Sequence, residues 1–284
     1  MPPQTPIGFN VSSRGIRITA FIMILFCQLL IIQLLLTADS CSGSGYYQSK
    51  QQKSDELQQV NKPPVNPKNV KTEQKEAALN NPAVPRDEIL RSVPSAGKKV
   101  ALTFDDGPTK NYTIKYLDLL REKQVKATFF LIGRNVKRHP ALTALIAGEG
   151  HEIANHTYDH YIKKMSEAVI KEQISRTSLL LKEWTQQEIK YVRPPGGNNS
   201  NKMRSVAYQL DMQVVMWSVD PQDWKENKTP AEIIASIKKQ LTPGAIIVLH
   251  EGKPQTLEAL PALIDELRQE GWEFVTISEL LGVS

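Results

Sequence analysis

Polar and apolar positions along the chain fall into three regimes. Ile18 to Leu36, ITAFIMILFCQLLIIQLLL, is continuously apolar, with two glutamines and no charge. From Ser42 to about Ser95 the chain is rich in Gln, Lys, Asn and Pro and poor in aromatic and branched apolar residues. After Gly97, short apolar runs alternate with segments of helical period. KKVALTFDDG precedes NYTIKYLDLLREKQV, KATFFLIG precedes NVKRHPALTALIAGEG, and HEIANHT precedes KKMSEAVIKEQISRTSLLLKEWT. IKYVRPPGG then leads into NKMRSVAYQLD, QVVMWSVD into TPAEIIASIKKQL, and GAIIVLHEG into TLEALPALIDELRQEG, before WEFVTISELL closes the chain. Such alternation predicts parallel strands joined by helical crossovers. Seven units in about 190 residues favour a short, distorted (β/α) barrel of about seven parallel strands, with a doubly wound sheet as the alternative. DDGPTK after the first strand lacks the spacing of a glycine-rich phosphate loop.

The first regime is about long enough to cross a bilayer, and Arg14 and Arg17 precede it. The expectation is an uncleaved N-terminal helix that anchors the chain in the membrane and leaves the bulk of the chain exported. A lipoprotein modified at Cys41 and a cleaved, secreted form are the alternatives, although Ala38 and Asp39 suit lipoprotein processing badly. All three put the working domain outside the cytoplasm. The expected organisation is therefore 1–41 as anchor or signal, 42–96 as a flexible linker unable to bury enough to order itself, and 97–284 as the folded domain.

Composition narrows the choices. Hydrophobic residues make up 40% of the 284, enough for a core, and both cysteines, Cys27 and Cys41, precede the folded part. The formal charge of +5 is thinly spread, with no basic run interleaved with aromatics, so no nucleic-acid partner is expected. The folded domain is expected to act as a monomer.

In barrels of this kind functional side chains gather where strands end. Those positions carry Asp105-Asp106-Gly107-Pro108, then HTYDH from His156 to His160, Arg193-Pro194-Pro195-Gly196-Gly197, DPQDW from Asp220 to Trp224, and Leu249-His250-Glu251. His156 and His160 would share a face if their strand runs into a helical turn, and a carboxylate would complete a three-ligand set of the catalytic-zinc kind. One of the two adjacent aspartates would bind the cation and the other stay free to take a proton from water. His139 and His151 are read as boundary and packing residues, and Trp184, Trp217 and Trp272 as core or rim.

TFDDGP, HTYDH, RPPGG, DPQDW and VLH, in this order, resemble the five motifs of the polysaccharide deacetylases, carbohydrate esterase family 4, over about Lys98 to Leu281. The resemblance implies a distorted barrel and a hydrolase that releases acetate from N-acetylglucosamine residues of cell-wall peptidoglycan. Chitin oligosaccharides, exopolysaccharides and N-acetylmuramic acid are alternative substrates, and a non-catalytic glycan-binding protein is the rival reading. It further implies that Asp106, His156 and His160 hold a divalent metal, usually zinc, with cobalt or nickel able to serve. By the same resemblance Asp105 is the general base, oriented by Arg193, and His250 the general acid, kept cationic by Asp223. Trp224 and Leu249 would line the acetyl pocket, and the Gly196 N–H would face the developing oxyanion. The family often carries a larger residue where this chain has Gly196, which leaves that wall of the sugar site open.

Overall fold

The structure, a computed structural model, describes residues 88–161 and 165–283. Seven strands alternate with helices. The order is β1 (Lys99–Gly107), α1 (Thr113–Glu122), β2 (Thr128–Leu131), α2 (Gly133–Arg138), α3 (Pro140–Gly148), β3 (Glu152–Asn155), α4 (Glu167–Thr185) and β4 (Tyr191–Val192). Then come α5 (Asn201–Gln209), β5 (Gln213–Val214), α6 (Pro230–Gln240), β6 (Ala245–His250), α7 (Pro254–Gln269), β7 (Glu273–Val275) and α8 (Ile277–Leu281).

All strand pairs are parallel, in the order β5-β4-β3-β2-β1-β6. β7 and β2 divide one edge of β1, β7 pairing with Lys99–Ala101 and β2 with the strand's later part. The sheet winds in one direction without the reversal of a doubly wound sheet, and it curls into a half-barrel. Isolated bridges, Val219 to Ile247 and Leu90 to Val215, span the gap between the β5 and β6 edges. Both faces of the central strands are covered, which is why β1 and β6 read as unbroken apolar runs. Period-two alternation divides their side chains. Leu102, Phe104, Ile247 and Leu249 join the larger apolar cluster with α1, α6 and α7, while Ala101 and Ile246 join Phe130, Ala154 and Val215 in the second.

Packing begins earlier than the boundary expected at residue 97. Leu90 and Val93 are buried; Leu90 pairs with the β5 edge through N–H to Val214 O (2.9 Å) and its own carbonyl from Met216 N–H (2.8 Å), and Val93 N–H reaches the β6 side at Gly244 O (2.8 Å). Residues 88–96 therefore belong to the folded domain. So short a strand-like pairing beside a proline-rich stretch is too brief to show a period. The expected anchor, Cys41 and the rest of the expected linker lie outside the described residues. Among the described residues no helix is long and apolar enough to cross a membrane.

Candidate active site

The site starts from an irregularity in β1. Adjacent strand residues point to opposite faces, so Asp105 and Asp106 would ordinarily diverge. The β1–β2 register jumps between Asp105 and Gly107, and Asp106 has a φ of 74°. This bulge turns the second carboxylate towards the first. Asn135 Nδ2 donates to the Asp106 carbonyl at 2.9 Å and holds the unusual backbone. Gly107 is required next, because a Cβ there would strike the buried Oε2 of Glu251.

Asp105 sits beneath the cleft beside a fully buried Arg193. The guanidinium lies over the Phe130 ring at 3.9 Å and donates to Asp105 Oδ1 (2.7 Å), Thr103 Oγ1 (2.8 Å), Met216 O (3.1 Å) and Val215 O (3.3 Å). Burial opposes the charge on Asp105, but Arg193, with His156 and His250 beyond it, holds the carboxyl below its ordinary pKa. The carboxylate is ionised and fixed.

His156 and His160 follow β3, but not on the helical turn that their spacing suggested. The segment is irregular, and Thr157 (φ 62°) and His160 (φ 55°) are left-handed. These two turns bring the imidazole centroids to 4.9 Å. His156 Nδ1–H donates to Arg193 O at 2.8 Å, which leaves the Nε2 lone pair facing Asp106 Oδ1 at 3.6 Å. His160 Nε2 lies 3.2 Å from the same oxygen. Burial and the neighbouring His156 depress the His160 pKa against the pull of Asp106.

Asp106 Oδ1 is buried and takes no hydrogen bond. The three ligand atoms lie within 4.8 Å of one another. An unpartnered carboxylate oxygen facing two imidazole nitrogens is costly without a cation and suits a borderline-soft divalent one. The residues fit a metal.

Across the cleft, His250 ends β6. Asp223, fully buried, accepts from His250 Nδ1–H (2.7 Å), His250 N–H (2.8 Å) and Thr256 Oγ1–H (2.7 Å). Burial alone would lower the imidazole pKa. The hydrogen bond and charge of Asp223, with Asp105 and Asp106, outweigh it and raise the value to about 9. The cleft, about 340 Å³, is lined by Asp105, Asp106, His156, His160 and His250, with Gly196, Trp217, Asp220, Trp224, Val248 and Lys253 around them. Leu249 is not among them. As the neighbour of two inward residues on β6 it points into the helical layer, so Val248 takes the wall position expected of Leu249.

This geometry can be set beside known proteins. A family model described as polysaccharide deacetylase matches residues 92–215. A peptidoglycan-N-acetylglucosamine deacetylase of Bacillus cereus is 38% identical over 203 residues, covering 69% of this chain and 94% of that protein. The chain belongs to the polysaccharide deacetylases. It is a hydrolase of carbohydrate esterase family 4. The peptidoglycan-N-acetylglucosamine deacetylase PgdA of Listeria monocytogenes is 34% identical over 221 residues, 76% of this chain but 47% of PgdA. A solved family pseudoenzyme from Bacillus anthracis aligns with a TM-score of 0.66 at 30% identity, covering 70% of each chain. A solved peptidoglycan N-acetylglucosamine deacetylase, bound to an N-hydroxybenzamide compound, aligns with the same score at 35% identity, covering 69% of this chain and 94% of that one.

Four contributors to this site were not among the residues expected to act in it. Thr103 shares Arg193 with Asp105. Glu251, buried, accepts at Oε1 from Thr109 N–H (2.9 Å), Thr109 Oγ1–H (2.7 Å) and the Thr113 hydroxyl, while its own N–H donates to Asp105 O (2.9 Å). It thereby ties the loop after β1 to the end of β6. Gln173 of α4 does the same for the histidine segment. Its Oε1 accepts from Tyr158 N–H (3.1 Å) and Asp159 N–H (2.8 Å), and its Nε2 donates to Asp159 Oδ2 (2.9 Å). Asn155 Oδ1 also accepts from Thr157 N–H at 2.8 Å. The charge next to His250 hinted at Glu251, but Gln173 looks like any polar residue of an amphipathic helix. Gln173→Leu strips two backbone N–H groups of their acceptor beside His160, one of the three residues that could hold a cation. Zinc affinity, measured by competition with a chromophoric chelator, should fall by about 10- to 100-fold, and saturating zinc should restore turnover.

Proposed function

We propose that this chain is a metal-dependent deacetylase that removes N-acetyl groups from N-acetylglucosamine residues of cell-wall peptidoglycan and releases acetate. One observation carries the reading. A buried, unpartnered Asp106 oxygen faces two imidazoles on one side of a cleft, and an Arg193-held carboxylate and an Asp223-held imidazolium face the same space. Asp106, His156 and His160 would hold the cation, zinc by the nature of the donors, with cobalt or nickel able to replace it. When bound, the cation supplies Lewis acidity at the acetyl carbonyl and acidifies water.

The chain's own groups do the rest. Asp105, ionised and immobile, accepts a proton from the attacking water as its oxygen bonds to the carbonyl carbon. Because Arg193 holds one oxygen of Asp105, Oδ2 remains for that task. His250 enters the reaction protonated and gives its Nε2 proton to the amide nitrogen as the C–N bond breaks. Without that proton the amine is a poor leaving group. Trp224 and Val248 bound the space for the acetyl methyl, and Gly196, at φ 57°, presents backbone without a side chain. The products are acetate and a primary amine.

The named relatives support peptidoglycan as the polymer. The apolar run after Arg14 and Arg17 supports an extracytoplasmic location, with the domain tethered on the membrane side of the wall. The test is acetate release from N-acetylated glycan strands. The expected result is loss on treatment with a strong chelator and recovery on adding zinc. Full activity in the chelated protein would overturn the metal-dependent reading.

A further inference from the structure

Each carboxylate of the site faces a protein group through at least one oxygen, while Asp106 Oδ1 and Glu251 Oε2 take no hydrogen bond. Asp105 is held by Arg193, Asp106 faces the histidines, and Asp223 binds His250 and Thr256. Asp220 accepts from Gln222 N–H at 2.7 Å, and Glu251 is taken up by Thr109 and Thr113. One cation of the cleft has no such partner. Lys253, half-buried, lines the cleft on the same side as His250 and Trp224, and among the described residues its Nζ makes neither a hydrogen bond nor an ion pair. Several lysines elsewhere on the domain find partners. Lys123 meets Asp265, Lys238 meets Glu266 and Glu270, and Lys98 donates to the Glu270 carbonyl. The exposed Lys137, Lys171, Lys202 and Lys239 have none among the described residues; Lys253 differs from these in being half-buried at the cleft, and its backbone is well tied down. It is the N-cap of α7, and its carbonyl accepts from Tyr116 Oη–H at 3.2 Å. The start of α7 adds the positive end of a helix to the same wall.

A lysine that lines a cleft and makes no ion pair of its own is available to an anionic group of a ligand. A homopolymer of N-acetylglucosamine has no anionic group to offer. Peptidoglycan glycan does, either as the lactyl carboxylate of its N-acetylmuramic acid residues or as carboxylates of the attached peptide. We infer that Lys253 is a specificity-determining residue that receives a carboxylate borne by the sugar next to the reacting one. The inference rests on the deacetylase reading and deepens it, since it separates wall glycan from uncharged chitin-type polymers by charge.

The experiment compares wild type, Lys253→Gln and Lys253→Arg on three zinc-loaded reactions. The substrates are a chito-oligosaccharide, a peptide-free wall oligosaccharide with lactyl carboxylates, and the same oligosaccharide bearing its peptides. The readout is the ratio of kcat/KM on each anionic substrate to that on the chito-oligosaccharide. Lys253→Gln should lower this ratio about five- to tenfold through KM on at least one anionic substrate, and Lys253→Arg should keep most of it. The effect should shrink at high salt. The substrate that responds tells which carboxylate is read. An unchanged ratio on both anionic substrates, or an equal loss on all three, would overturn the inference. Dissociation constants for the same oligosaccharides are measured in parallel by calorimetry. If wild type releases no acetate from any of them, the deacetylase reading fails, and unchanged constants in Lys253→Gln would then count separately against Lys253.

Discussion

Asp106→Ala should release the metal and reduce acetate formation by about a thousandfold or more. A Lewis acid at an amide carbonyl is worth several kcal/mol, and about 4 kcal/mol corresponds to that factor. The variant should remain folded, because the Asp106 carboxylate supports nothing else. Its Oδ1 makes no hydrogen bond, and the bulge is held through the main-chain carbonyl by Asn135. Alanine does disfavour the φ of 74° found there, whereas asparagine tolerates it and keeps one oxygen ligand. Asp106→Asn therefore separates backbone strain from ligation. It should melt like the metal-free wild type yet bind zinc far more weakly. Metal content by atomic emission, set against the thermal midpoint, reads both effects. Zinc retained at full stoichiometry in Asp106→Ala would sink the three-ligand assignment.

His250→Ala should slow turnover by about 10² to 10⁴ while leaving the metal in place, because its task is to give a proton and it is not among the residues facing Asp106 Oδ1. The pH dependence has a definite sign. The acid acts only when protonated, and its pKa is raised to about 9. Activity should hold on the neutral side and fall as pH rises through that region. Asp223→Asn removes the charge that opposes the burial penalty, so the alkaline limb should move down, towards the ordinary histidine range. The measurement is kcat/KM against pH for both proteins, with metal content checked at each end. An alkaline limb unmoved by Asp223→Asn would assign the proton to another group. Equal loss of zinc and activity in His250→Ala would make that residue a ligand.

The features legible in the sequence were periodic or local. Alternation of apolar runs with helical segments is imposed by the core on every strand and crossover, so the parallel architecture was legible without coordinates. The strand ends were legible for the same reason, and with them the titratable residues of the rim, Asp105 to His250. The membrane-length run from Ile18 to Leu36 is equally local, and it remains an expectation about residues outside those described. The start of the domain was harder to see. Leu90 and Val93 pair across a sheet gap through partners more than a hundred residues away, and so short a segment carries no period of its own.

Tertiary structure alone decided where the side chains of this site point. Two neighbouring aspartates share one cleft only because a bulge interrupts β1, and that bulge depends on Asn135 and on space left at Gly107 beside Glu251. Val248, rather than Leu249, faces the cleft because the phase of β6 is set by its pairing with β1, Val248 opposite Thr103 and His250 opposite Asp105. Gln173 reaches the histidine segment from the middle of a helix, and Lys253 stays unpaired because no carboxylate among the described residues is folded to meet it. The chain by itself determined that a parallel α/β domain would carry acids, imidazoles and an arginine on one rim, because burial enforces regular spacing. Their orientation and their partners came from irregular backbone and long-range hydrogen bonds, which leave no repeating mark on a sequence.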